Sequence, residues 1–379
     1  MRKIDRYLLR QFVQVFVICF VSLAGLYTVI DAFGRLDDFT GSEQSFGEAA
    51  LAAGRYYGFQ AIGFFNKTSG VLTLIAAMFT VTWIQRHNEM TALLAAGVPR
   101  LKVLMPVLLA SVGIALGAAA LREFVLPEIR DELSLDSKDL AGDRTVELKP
   151  RYDNVTDILL GGQRVNLATQ TIENASFSLP PRLSRAFGKQ LQAGTARYLV
   201  ADEPRPAGYV LSNVTTPANI DSQPRIADTD GNVVFVTSRD AAWLEPGQAF
   251  VVSGVSFELL AAGTQWRDLA STTELVRELA NPSTDLGPDV RVAVHSRVVQ
   301  PMLDVTLLLI GLPLVVSRGS GNPFVAIGLC VAVVTGFFLL TLGGQALGGG
   351  GWIQPALGAW LPLMAFVPIA AFQAETLRQ

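Results

Sequence analysis

The sequence predicts a helical membrane bundle of six transmembrane helices with an inserted all-β domain, folded as a jelly roll. Half of the residues are apolar and the mean hydropathy is positive. Residues 319–374 contain no Asp, Glu, Lys or Arg, whereas most charged residues lie within 121–297. Because a water-soluble fold needs charge on its outer surface, the uncharged tract must face lipid or protein. The charged segment is the part that can form a separate soluble domain.

Six apolar stretches are long enough to cross a bilayer, which takes about 20 residues in a helix. The second follows an apolar approach that is interrupted at Asn66 and Lys67, and a glycine-rich stretch at 343–351 separates the last two. The basic N-terminus resembles a signal peptide, but its apolar run is too long and continues as the first span. The predicted spans are 11–30, 68–85, 103–121, 298–317, 324–342 and 356–374.

The orientation follows from the excess of Lys and Arg that cytoplasmic loops carry. With the N-terminus inside, the inside segments hold only three acids, Asp5, Glu89 and Glu375. The bases on that side are Arg2, Lys3, Arg6, Arg10, Arg86, Arg100, Lys102, Arg318 and Arg378. Six spans return the C-terminus to the cytoplasm and leave the large domain outside.

The sequence of the outside domain is typical of β-structure. We place this domain at 125–290, between a first membrane part at 1–124 and a second membrane part at 291–379. Alternating or β-branched runs are separated by turn residues such as Asp230-Gly231 and Pro246-Gly247. The predicted strands are 164–171, 196–200, 208–214, 232–237 and 249–259. Helical spacing predicts a helix at 268–280, followed by a linker at 281–288.

The residues that enzymes use are sparse. Cys19 and Cys330 both lie in apolar runs, so neither a disulfide framework nor a metal site is expected. His87 and His295 lie on opposite sides of the predicted membrane. A phosphate-binding loop is absent, and we expect no cofactor in this chain and no nucleic-acid partner. Asp304 lies inside the fourth span, where an ionisable group is costly and either packs within the protein or serves a function.

Residues 86–100, between the second and third spans, are the most informative. Asn88 can cap a short helix there, Glu89 suits the positive end of its dipole, and Gly97 followed by Pro99 ends it. The apolar members at helical spacing are Met90, Leu93, Leu94 and Gly97. Such a helix near 87–97 either docks into a groove of a soluble partner or packs against its own bundle.

Motifs at the span boundaries, in order along almost the whole chain, resemble those of the LptF/LptG (YjgP/YjgQ) permease family. Segment 86–101 is similar to the pattern R-x-S-E-L-x-x-x-x-A-x-G after the second span, with Asn88 and Met90 replacing its Ser and Leu. The other matching motifs are Asp5-Arg6-Tyr7, Leu121-Arg122-Glu123-Phe124-Val125-Leu126-Pro127, His295-Ser296-Arg297-Val298-Val299-Gln300-Pro301 and Ala359-Trp360-Leu361-Pro362.

The resemblance implies a permease subunit of an ABC exporter that extracts lipopolysaccharide from the inner membrane for outer membrane biogenesis. It implies four partners: a homologous second permease, a cytoplasmic ATPase dimer that uses the ATP, periplasmic bridge proteins of the LptC/LptA type, and lipopolysaccharide or a related lipid. The residues of the implied ATPase-coupling helix are Arg86, Glu89, Leu93 and Gly97. The implied lipid and gate residues on the first span are Ser22, Gly25, Asp31 and Arg35, with Ala326 and Gly328 on the fifth.

Two other functions fit the same sequence features. A permease of this architecture could export another envelope lipid or a lipoprotein, which crosslinking of the bound lipid would reveal. A membrane-anchored scaffold with a periplasmic binding domain would need no ATPase, so co-purification of one argues against it. A membrane hydrolase is the weakest reading, because no nucleophile stands beside a base.

Overall fold

The computed structural model describes residues 3–34, 46–134, 145–181, 188–202, 205–223, 225–227, 233–262, 266–316 and 323–378. Eleven α-helices occur in these ranges, with a π-helical turn at Leu121–Val125 and a short 3₁₀ turn at Ile220–Ser222. The helices are α1 Lys3–Gly34, α2 Phe46–Arg86, α3 Glu89–Ala95, α4 Arg100–Ala120, α5 Arg130–Ser134, α6 Phe257–Ala262, α7 Trp266–Leu269, α8 Thr272–Leu279, α9 Pro288–Val316, α10 Pro323–Gly349 and α11 Pro355–Arg378.

Ten strands form one connected antiparallel sheet in the described part of the chain. Its main path runs β1-β4-β5-β6-β7-β10-β9-β8, and a hairpin of β2 and β3 joins it at β5. The strands are β1 Thr145–Glu147, β2 Arg151–Asp153, β3 Ile158–Leu160, β4 Arg164–Asn166, β5 Thr171–Ser178, β6 Gln190–Leu199, β7 Gly208–Thr216, β8 Ile226–Ala227, β9 Val233–Thr237 and β10 Ala249–Val252.

The chain divides into two compact units. The helical unit contains Met1–Leu36, Gly54–Ile129 and Gly287–Gln379, and the β unit contains Asp37–Ala53 and Arg130–Leu286. Six described helices are long and apolar enough to cross a membrane: α1, α2, α4 with its π turn, α9, α10 and α11. The predicted fold class, a six-helix membrane part with an inserted β domain, is therefore confirmed. The finer jelly-roll assignment stays a prediction.

The core of the helical unit is built from side chains that hydropathy alone would assign to lipid. Phe12 of α1, Leu72 of α2 and Leu104 of α4 are almost fully buried there, together with Leu307 and Leu312 of α9. α9 packs extensively against α11, α10 and α4. Because lipid tails are as apolar as leucine, close packing rather than water exclusion holds such helices together.

Two predicted strand bounds are wrong, whereas helix α2 passes without interruption through Asn66 and Lys67, the polar residues that interrupt the apolar stretch in the sequence. Residues 257–259 begin helix α6 rather than continue the strand that ends at Val252. Residues 167–170 form a turn between β4 and β5, where one strand was expected. The segment 281–288, which the sequence predicts as a linker, is hydrogen-bonded to the β unit, since Asn281 Nδ2 donates to the Gly254 carbonyl at 2.8 Å.

Candidate functional site: the coupling helix and the first span

Helix α3 lies at the turn between two spanning helices and has a well-defined end. Gly97 has φ +77°, its N–H donates to the Leu94 carbonyl at 2.9 Å, and the Val98 N–H donates to the Leu93 carbonyl at 3.1 Å. This pair of bonds is the Schellman arrangement, which needs a left-handed residue at the position of Gly97. The prediction that Gly97 ends the helix is thus confirmed.

The start of α3 differs from the prediction. Asn88 adopts a left-handed conformation with φ 56°, and its side chain makes no capping hydrogen bond. A capping side chain requires an extended backbone at that position, which brings its oxygen to the free N–H groups. The residue instead makes a tight turn from α2 into α3, a conformation that Asn tolerates better than most residues.

The apolar side of α3 packs against its own bundle. Met90 is 4% exposed and belongs to the core of the helical unit, while Leu93 and Leu94 are partly buried against that core. The exposed positions on α3 are Thr91, Ala92 and Ala95, followed by Ala96 and Gly97. A partner would therefore meet small side chains and the charged start of the helix, rather than the leucines.

Glu89 is the acidic group at that charged start. Its carboxylate Oε1 accepts a hydrogen bond from the Tyr7 hydroxyl of α1 at 3.4 Å. Arg86 and His87 are exposed just before it, and the His87 ring lies tilted against the Trp83 ring with 4.4 Å between centroids. The sequence shows Tyr7 only as part of the Asp5-Arg6-Tyr7 motif; the helix packing brings it to Glu89, 82 residues away.

A cleft of about 290 Å³ lies beside α3. Most of its lining is apolar, and two opposite charges, Asp5 of α1 and Lys102 of α4, also line it. Leu93 and Val98, the two residues that flank the Schellman turn, contribute to the wall. The end of α3 is therefore adjacent to a space that a side chain of a bound protein could enter.

The residues predicted for the gate lie on the first span. Ser22 is exposed, and a Cβ at Gly25 would meet nothing within 4 Å. Asp31 accepts a hydrogen bond from the Tyr57 hydroxyl of α2 at 3.2 Å. Arg35 lies outside the described residues. The structure thus gives Asp31 a partner within the helical unit, while Ser22 and Gly25 remain on an uncovered face.

The first span is much less covered by the chain than the fourth. In the most apolar segment of each helix, 6% of the residues are buried for α1 and 56% for α9. Phe12 and Phe16 of α1 face the core, whereas Val17, Val21 and Ile30 are more than 45% exposed. On the fifth span, α10, Gly328 is also exposed with no neighbour near its Cα. These surfaces are where lipid or another membrane chain can contact the protein.

Metal-dependent chemistry has no candidate in the described ranges, where no three His, Cys, Asp or Glu side chains converge. Asp304 is the ionisable residue that the sequence flagged inside the fourth span. It lies mid-helix, partly buried, and accepts from Gln300 Nε2 at 2.9 Å. The glycine that it contacts on α2, Gly70, carries no sequence signal that distinguishes it from the other membrane glycines.

Six spanning helices, a β unit inserted after the third, and a short helix between the second and third define a multi-pass membrane protein of the permease type. A comparison with protein families agrees, matching residues 6–150 and 186–375 to the lipopolysaccharide export system permease LptF/LptG. The chain belongs to that family. A comparison with curated proteins gives no match.

Proposed function

We propose that this chain is a transmembrane subunit of an ABC exporter that extracts lipopolysaccharide from the inner membrane and delivers it towards the outer membrane. The observation that carries the proposal is the family match over most of the chain. In this proposal, the ATP is hydrolysed by a separate cytoplasmic ATPase dimer, and no cofactor is bound here. A homologous second permease completes the membrane part.

Helix α3 is the element that we assign to the ATPase contact. Its exposed small side chains allow a close approach, and Glu89 offers a carboxylate to basic or polar groups of a groove. Arg86 adds an exposed cation beside it. Leu93 packs on the bundle core, so motion of the helix is passed to the spanning helices through that contact. Gly97 fixes the C-terminal end of α3.

The uncovered faces of α1 and α10 are the surfaces that we assign to a lateral opening and to the second permease. Small residues such as Ser22, Gly25 and Gly328 let helices approach closely in lipid. Asp31 accepts a hydrogen bond from Tyr57 and lies near the C-terminal end of α1. Arg35 follows this helix in the sequence. Arg35 is the base that we assign to a lipid phosphate there.

The β unit supplies the next step of the proposed route. Each methylene moved from an apolar environment into water costs about 0.8 kcal/mol, so a multi-acyl lipid needs a continuous apolar path. A β domain on the periplasmic side would receive the acyl chains and pass them to bridge proteins of the LptC/LptA type. With this orientation both termini and α3 are cytoplasmic.

Charge reversal at Glu89 tests this function. Glu89→Lys should reduce both ATPase co-purification and ATP-dependent transfer of lipopolysaccharide to the bridge proteins, by tenfold or more if a charge-assisted bond worth about 1.5–3 kcal/mol is lost. Glu147→Lys, at an exposed position of the β unit, is the matched control and should leave both unchanged. Normal transfer by Glu89→Lys would overturn the coupling role. Absence of any ATPase from the purified wild-type complex would overturn the function.

A further inference from the structure

The fourth span carries a polar stripe within its apolar sequence. Arg297, Gln300 and Asp304 are spaced by three and four residues, so they share one face of α9. Asp304 lies sixteen residues beyond Pro288, about 24 Å along the helix at 1.5 Å per residue, which is close to the middle of α9. A polar group within a membrane-spanning helix needs partners inside the protein, because hydrocarbon offers none.

Helix α2 accommodates the carboxylate by carrying a glycine opposite it. A Cβ built on Gly70 would overlap the Asp304 carboxylate, so the acid lies directly against the α2 backbone. Gln300 Nε2 donates to Asp304 Oδ1 at 2.9 Å from within α9. The contact joins the helix that leads into α3 to the helix that follows the β unit in the chain.

A small cavity adjoins this contact where three helices meet. The cavity has a volume of about 10 Å³, which is enough for one water molecule. The lining residues are Ser69, Gly70 and Thr73 of α2, Ser111, Ile114 and Ala115 of α4, and Asp304 and Val305 of α9.

Two hydroxyls and one carboxylate at the cavity are available as acceptors. Thr73 Oγ1 donates its proton to the Ser69 carbonyl at 2.7 Å, and Ser111 Oγ donates to the Val107 carbonyl at 2.8 Å. Each hydroxyl therefore satisfies its own helix and presents only lone pairs to the cavity. A carboxylate is also an acceptor. A species with two hydrogens to donate completes this set.

We propose that the cavity binds one structural water molecule, which donates one hydrogen to the Asp304 carboxylate of α9 and the other to the Ser111 hydroxyl of α4, and so ties these two helices together beside α2. Buried waters make two to four such bonds, and losing one leaves acceptors unsatisfied. A sodium ion could use the same oxygens, so the tests below separate the two. The inference does not depend on what the protein transports.

The direct test is a structure of the full chain in lipid nanodiscs, with its native partners, at a resolution that shows ordered waters. The wild-type map should show one peak within hydrogen-bonding distance of both Asp304 and Ser111. Ser111→Val should abolish the peak, because it fills the space and removes an acceptor, whereas Gly113→Ala, at a position with no neighbour within 4 Å, should keep it. If Ser111→Val does not fold, Ser111→Ala replaces it. An empty wild-type cavity would overturn the proposal.

Salt dependence separates water from sodium. The thermal unfolding midpoint of the purified protein should be the same in sodium chloride and in choline chloride at equal ionic strength. A rise of several degrees in sodium that Asp304→Asn removes would overturn the water assignment and identify a cation site instead.

Discussion

At the scale of single residues, the buried carboxylate of Asp153 is stabilised by the hydrogen-bond donors around it. Asp153 of the β unit is fully buried, and it accepts from Ser253 Oγ at 2.6 Å and from the Val155 N–H at 2.9 Å. Further bonds come from the N–H groups of Thr156 and Gly254. These bonds join the end of β2 to the segment after β10. Removing either set of donors would leave a buried acidic group without part of its partners.

Gly70 is a position where one methyl group should be costly. Gly70→Ala puts a Cβ onto the Asp304 carboxylate, so either the carboxylate turns away from Gln300 or the helices separate, at a cost of about 1–3 kcal/mol. The thermal unfolding midpoint in detergent should fall. Gly113→Ala on α4 adds the same group into open space and should leave the midpoint unchanged or slightly raised. Equal behaviour of the two variants would contradict the packing that the structure shows.

The stability of the β unit should depend on pH through the carboxyl group of Glu278. Burial raises the pKa of its carboxyl above the ordinary value, and the nearby Glu258 carboxylate adds to this, although a hydrogen bond from Asn281 opposes it. The fold disfavours the ionised form of Glu278. The resulting loss of stability is therefore absent below the ordinary pKa and complete above the raised pKa.

Glu278→Gln should therefore protect the β unit from proteolysis at pH 7–8, with the difference disappearing near pH 4. The matched control is Glu147→Gln, which removes an exposed carboxylate from the same unit. Protection that persists unchanged at acid pH would contradict ionisation as the cause.

At the scale of elements, the helix α3 is defined by its ends. Gly97, at φ +77°, closes it with two hydrogen bonds, and a β-branched residue is strained in that conformation. Gly97→Val should cost about 1–3 kcal/mol locally and misplace Glu89, so that ATPase co-purification falls. Gly97→Asn, which tolerates the left-handed region, should retain most of the binding. Full binding by Gly97→Val would show that this turn does not position the contact.

Element boundaries also show how far the sequence could be read. Hydropathy finds all six spans because a lipid-facing helix must be apolar over its length. At Asn66 and Lys67 the apolar stretch is interrupted while helix α2 continues, because two polar residues lower the hydropathy without breaking a helix. The three-residue strands β1, β2 and β3 were missed because two or three side chains give no periodicity. The contact of Tyr7 with Glu89 and that of Gly70 with Asp304 were not predicted, because each joins residues distant in sequence.

At the scale of the whole molecule, the chain combines a helical unit that lipid can surround with a β unit rich in charge. The family match supports a permease that moves lipopolysaccharide, and the position of α3 between two spans offers a site for an external energy source. That account requires α3 and the β unit to be on opposite sides of the membrane. If they shared a side, an ATPase at α3 could not drive lipid into a periplasmic domain.

Cysteine labelling of the intact cell envelope measures this arrangement. Single cysteines at the exposed positions Thr91 of α3 and Lys189 of the β unit would be introduced after Cys19 and Cys330 are replaced by alanine. In spheroplasts, a membrane-impermeant thiol reagent should label Lys189→Cys at once and Thr91→Cys only after permeabilisation. Labelling of both before permeabilisation, or of neither, would contradict the proposed export mechanism.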